Sequence, residues 1–176
     1  GAPGNRRAAD GTLWMDYPVV ACPPWIGEKS PPDLTKHAAT GPQLPIEVTP
    51  SNVQWFRHHS MRMKGEGLKW VAASGAKGIR SIKITLPAPA IGAYTVRLVF
   101  AEPDQIKAGE RVFGVAIQGK RVIEKLDIVA SVGAPMTVLT REFKGVSVGA
   151  ALSVELTPIR GEPVLCGVEL VADGGN

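Results

Sequence analysis

The sequence predicts an all-β protein, a sandwich or barrel of short antiparallel strands. Three observations predict it. Gly (20) and Pro (15) make up about a fifth of the 176 residues, and both oppose helix interiors, which excludes a bundle or coiled coil. From residue 46 onward, apolar and polar residues alternate with period two, as a strand with one face to the core and one to water requires. Gly and Pro fall in the gaps between these runs, where turns belong. Hydrophobic residues (44%) outnumber charged ones (20%) far enough to fill one core. The length suits one domain, or one domain plus an arm.

Residues 1–50 hold nine of the fifteen prolines, including Pro23-Pro24 and Pro31-Pro32. They are read as a proline-rich N-terminal arm packed on the body, anchored by Leu13, Trp14, Tyr17, Val19, Val20 and Trp25; solvated disorder rarely carries so many large apolar groups. The body runs from 46 to 176. Its first apolar stretch, Leu68 to Ala73, reads as a strand with Trp70 inside it. Ser81–Leu86 sets Ile82, Ile84 and Leu86 against Lys83 and Thr85. Tyr94–Phe100 sets Tyr94, Val96, Leu98 and Phe100 against Thr95 and Arg97. Asp104–Glu110 reads as a helical turn or an open loop. Leu152–Leu156 alternates in the same way, and Val164–Leu170 puts Val164, Cys166, Val168 and Leu170 on one face. Gly92, Gly109, Gly119, Gly145, Gly149 and Gly161 punctuate the gaps. Eight to ten strands are expected after residue 46, which favours a sandwich or barrel; no fixed repeat points to a propeller or solenoid.

The net charge of +4 is spread along the chain. A nucleic-acid binder clusters its basic residues on one face, so nucleic acid is not an expected partner. No run approaches the ~20 apolar residues that span a bilayer. No signal peptide is visible; Gly1-Ala2-Pro3-Gly4 is compatible with one having been removed, and the chain is read as a piece of a longer exported protein. Cys22 and Cys166 are too far apart for a redox pair or zinc knuckle. Two buried free thiols and a single Cys22–Cys166 disulfide both remain open, the bridge requiring an oxidising compartment.

Tyr94-Thr95-Val96-Arg97-Leu98-Val99-Phe100-Ala101-Glu102 resembles the central strand of malectin and malectin-like domains. Gly109-Glu110-Arg111-Val112-Phe113-Gly114-Val115 is similar to the next family strand, and Ile117-Gln118-Gly119-Lys120 to its turn. Leu126-Asp127-Ile128, Gly133 and the closing Pro163-Val164-Leu165-Cys166-Gly167-Val168-Glu169-Leu170 follow in family order. The resemblance is best over residues 81–172. It implies a jelly-roll-like β-sandwich with a non-catalytic carbohydrate-binding role. The family's sugar contacts are not matched. Pro103-Asp104-Gln105 stands where malectin has stacking aromatics, Gly161-Glu162-Pro163 lacks its aspartate, and Phe113-Gly114 replaces a common Phe-Asp.

Sugar recognition needs flat rings for the C–H face of a pyranose and polar groups for its hydroxyls. Among the four tryptophans, Trp14 and Trp70 are read as packing. Trp55 adjoins the polar cluster Arg57-His58-His59 and is the candidate platform. Taken as strand neighbours, His58 and His59 face opposite ways, and with His37 distant in the arm no histidine metal site is expected. Glu102 and Asp104 end a strand; Pro103 between them makes a turn a simpler account than a glycosidase pair. No Asp-rich calcium loop, nucleophile elbow or phosphate loop occurs, and no cofactor is expected.

The expected function is therefore a non-catalytic carbohydrate-binding module of a larger secreted, bacterial-type protein, extracellular or periplasmic. Trp55 would stack, Arg57 and His58 donate, and Glu102, Asp104 and Glu162 accept. The alternative is a structural or protein-interaction domain docking to a neighbouring domain of its parent chain.

Overall fold

The computed structural model describes residues 6–18, 44–86 and 91–173. The chain divides into two compact units, Ala2–Gln43 and Leu44–Asn176. In the first, β1 (Arg6–Arg7) pairs with β2 (Leu13–Trp14) across a turn that places Gly11 at φ 88°. The Asp10 carboxylate accepts from the Thr12 N–H at 3.0 Å and holds that turn. The other expected anchors, Val19, Val20 and Trp25, lie outside the described residues, as do Cys22 and His37.

The second unit is a β-sandwich. Its strands are β3 (Ile46–Thr49), β4 (Gln54–Arg57), β5 (Ser74–Lys77), β6 (Ser81–Thr85), β7 (Gly92–Phe100), β8 (Val112–Ile117), β9 (Lys120–Leu126), β10 (Leu139–Val148), β11 (Ala151–Arg160), β12 (Val164–Leu165) and β13 (Gly167–Ala172). They form a five-stranded sheet in the order β3-β6-β11-β8-β9, a three-stranded sheet β10-β7-β13, and a smaller sheet β12-β5-β4. Every pairing among these strands is antiparallel, and an isolated parallel bridge joins Lys64 to Thr137.

The period-two pattern supplies the core. Val96, Leu98 and Phe100 of β7 have no exposed surface, and neither do Leu152 and Val154 of β11 or Phe113 and Val115 of β8. The rings of Phe100 and Phe113 meet with centroids 6.0 Å apart, joining the two larger sheets. Each such side chain contributes about 1.5–3 kcal/mol by leaving water. Pro158 lies within β11 opposite Phe113, beyond the last β6 partner at Ala151–Glu155, so its missing N–H interrupts no ladder on that side.

Three local expectations are corrected. Leu68–Ala73 is not a strand: Lys69–Ala72 forms one helical turn, α1, with Val71 and Ala72 buried. Val164–Leu170 is two strands. The chain leaves β5 at Leu165, gives its Cys166 N–H to the Val99 carbonyl at 2.9 Å, and joins β7 as β13. Gly145 does not separate strands: β10 runs through it as a bulge between Phe143 and Val146, with Gly145 at φ 67°. A second short helix, α2 (Ile128–Val132), follows β9.

Candidate functional site

The strand ends β7 and β8 and the loop between them carry a buried charge cluster. Glu102 follows the fully buried run Val96–Phe100 and is itself 0% exposed. Arg111 precedes β8 and is 8% exposed. Its Nη1 donates to Glu102 Oε1 at 2.5 Å and its Nη2 to Asp104 Oδ2 at 2.9 Å. The Asp104 N–H returns to Glu102 Oε1 at 2.9 Å, and Lys77 Nζ of β5 reaches Asp104 Oδ2 at 3.0 Å. Two carboxylates thus meet two cations, and the cluster ties the small sheet to the 101–111 loop. Two atoms of the inner pair, Glu102 Oε2 and Arg111 Nε, are buried without a hydrogen-bond partner.

Burial pushes the Glu102 carboxyl above its ordinary range, against the pull of the Asp104 N–H and Arg111. For Asp104, partial burial acts upward but is outweighed by Arg111 and Lys77, which hold it below the usual range. The loop is fixed at its far end as well: the Gly109 N–H donates to Asp127 Oδ2 at 2.5 Å. Asp127 also caps α2, its Oδ1 accepting from the Ala130 N–H at 2.9 Å.

The structure divides the sequence-expected ligand residues into separate places. Glu102 has no exposed atom with which to meet a hydroxyl; it serves the Arg111 clamp, because a carboxylate at this depth needs a charged donor. Asp104 is joined to it through the same guanidinium. Glu162 is exposed and pairs with Arg80 at 2.9 Å. Trp55, 39% exposed, and Arg57 share one face of β4. Lys77 stands opposite Gln54 in the register, which puts the Lys77–Asp104 contact on the other face. His58 is half-buried; its N–H donates to the Ala73 carbonyl at 2.7 Å and its ring tilts against Phe56 with centroids 5.8 Å apart. β4 ends at Arg57, so His58 and His59 are not strand neighbours as expected. His59 instead caps the 3-10 turn Ser60–Arg62, its Nδ1 accepting from the Met61 N–H at 3.2 Å.

Nothing in the sequence pairs Arg111 with Glu102; its only local sign is a cation at the head of an apolar strand. An open depression of about 400 Å3, lined by Ser60, Met61, Met63, Lys69 and Trp70, is likewise unmarked, since it depends on the α1 turn. Among the described residues no three His, Cys, Asp or Glu side chains converge as a metal site would. Among them, too, no helix is long and apolar enough to cross a membrane.

Residues 76–160 match the family model of the Malectin domain. The malectin-like sandwich recurs in solved structures at low identity. It resembles Bacteroides uniformis beta-glucuronidase 2 with a TM-score of 0.58 at 16% identity, over 69% of this chain and 14% of that one. It resembles the ANXUR2 extracellular domain from Arabidopsis thaliana with a TM-score of 0.60 at 14% identity, over 73% of this chain and 41% of that one. A plant complex of the peptide RALF23 with FER and LLG2 aligns with a TM-score of 0.52 at 15% identity, over 72% of this chain and 38% of that one. At these identities the likeness is one of fold, and the chain spans well under two thirds of each neighbour. No curated protein matches the sequence.

Proposed function

We propose that the domain is a non-catalytic binding module whose ligand is carbohydrate, carried by a larger exported protein in an extracellular or periplasmic setting. The observation that carries the reading is the malectin match over a sandwich that exposes Trp55 beside Arg57 on one strand face. Trp55 offers the ring for a pyranose face and Arg57 a donor fork for its hydroxyls. Asp104, held by Lys77 on the opposite face of the β4-β5 pair, lies outside this surface, and Glu162, paired with Arg80, offers a partly exposed carboxylate as a candidate acceptor.

Non-catalysis is supported by the state of the carboxylates. General acid–base cleavage of a glycoside needs two carboxyl groups open to the substrate. Here Glu102 is sealed in, and both it and Asp104 are bound to one guanidinium. A share of only 14% of the beta-glucuronidase chain fits a module that sits beside other domains.

Titration calorimetry against a panel of neutral oligosaccharides tests this. Saturable heat at up to millimolar sugar, lost in Trp55→Ala, is expected; flat titrations across the panel would remove the carbohydrate reading. A second reading, protein docking, is favoured by one observation: among the described residues the Ser60–Trp70 depression is lined mainly by thioethers and an indole, with no side-chain carboxylate or amide to accept from sugar hydroxyls.

A further inference from the structure

The Ser60–Trp70 depression combines an apolar floor with unpaired positive charge. Met61 is 86% exposed beside it, while Met63 is buried beneath. Met61 offers a flexible, polarisable thioether that adapts to varied partners. Lys69 lines the depression, and Arg62 and Lys64 are exposed on the same loop. Among the described residues none of the three forms an ion pair, whereas Lys77, Arg80, Lys83, Arg97 and Arg111 all do. Between Ser60 and Trp70 the sole acidic residue is Glu66.

The loop is held in shape. The His59 side chain caps its 3-10 turn. The Lys64 N–H donates to the Met136 carbonyl at 2.7 Å, and the Lys64 carbonyl accepts from Val138 at 3.0 Å. Gly65 (φ 80°) backs onto Thr137, where an added Cβ would lie 3.0 Å from Thr137 Cγ2. A surface fixed in advance spends less ordering free energy on contact.

We propose that this depression docks an acidic peptide segment of a protein partner, with one apolar side chain set against Met61 and flanking carboxylates over Arg62, Lys64 and Lys69. Charge complementarity chooses the occupant: three unpaired cations against one acid attract carboxylates. The described lining favours peptide over sugar, because a pyranose requires acceptors for its hydroxyls and, among the described residues, the Ser60 hydroxyl is the one side-chain acceptor there. The inference rests on the protein-docking reading and is independent of the Trp55 face.

The test uses the full chain and a fluorescein-labelled peptide of alternating Glu and Asp with a single central Phe, read by anisotropy. A lysine-for-acid peptide and polygalacturonate serve as comparisons. Saturable binding of the acidic peptide alone is expected. It should weaken at least ~10-fold in the double variant Arg62→Glu/Lys69→Glu, weaken in Met61→Ala, and fall with added salt. All of these side chains are exposed or at the rim, and circular dichroism confirms the fold of each variant. Absence of binding at millimolar peptide, unchanged affinity after charge reversal, or polygalacturonate binding in place of the peptide would each overturn the proposal. Failure of the peptide while Trp55-dependent sugar binding persists rejects this surface alone; failure of sugar alone leaves it standing.

Discussion

At the scale of single residues, Glu102 and Arg111 set the terms for the cluster. A carboxylate with no exposed surface is tolerated because a guanidinium lies 2.5 Å away. Removing one member of a buried pair strands the other, at a cost of about 3–5 kcal/mol. Arg111→Ala should therefore shift the urea unfolding midpoint by a loss of that size, whereas Glu142→Ala, which breaks an exposed pair with Arg97, should cost far less. The two carboxyls also impose opposite pH trends. Glu102 is raised, so the folded state holds its proton more tightly than the unfolded chain. Stability then falls as pH rises from about 4.5 through the folded value. Asp104 is lowered, so its contribution is present above its ordinary value near 3.8 and fades as pH drops through the folded one. Glu102→Gln should remove the decline above pH 4.5 while leaving the acid-side loss, as read from unfolding midpoints across pH 2–7. A Glu102→Gln curve that still declines above pH 4.5 would assign that decline to another group.

Elements show where local pattern suffices and where it does not. Ile82 and Ile84 were legible because a half-buried strand leaves the same period-two mark wherever it pairs. Leu68–Ala73 reads as a strand because five apolar residues in six carry no period at all; the helical turn is chosen by burial of Val71 and Ala72. Val164–Leu170 keeps its alternation across a break, since β12 and β13 turn their apolar sides to one core while belonging to different sheets. The site was less legible still. Glu102 and Asp104 could be picked from their place at a strand end, but Arg111 lies nine residues from Glu102 and Lys77 on another sheet, and no local signal joins them. Asp127 serves two elements, so Asp127→Ala should cost more than a simple cap, at or above the ~2 kcal/mol upper range for caps, by thermal or urea unfolding. Gly75 in β5 permits the close passage of β12: an added Cβ would sit 2.5 Å from the Leu165 carbonyl oxygen and 2.9 Å from Phe56 Cζ. Gly75→Ala should lose about 1–3 kcal/mol by the same measurement.

At the scale of the whole molecule, two larger sheets enclose one core, and the small β12-β5-β4 sheet extends the malectin-like sandwich at its side. Glu102 and Asp104 brace that junction through Arg111 and Lys77. Trp55 and Arg57 occupy one face, and the Met61–Trp70 depression lies on the loop that follows β4. Two-dimensional amide NMR of the full chain with graded neutral oligosaccharide tests the binding claim most directly. Carbohydrate binding at this face should give saturable shifts centred on Trp55 and its neighbours in β4, absent in Trp55→Ala, with the sugar recovered intact. Unperturbed spectra at millimolar sugar, or oligosaccharide cut during the titration, would contradict it.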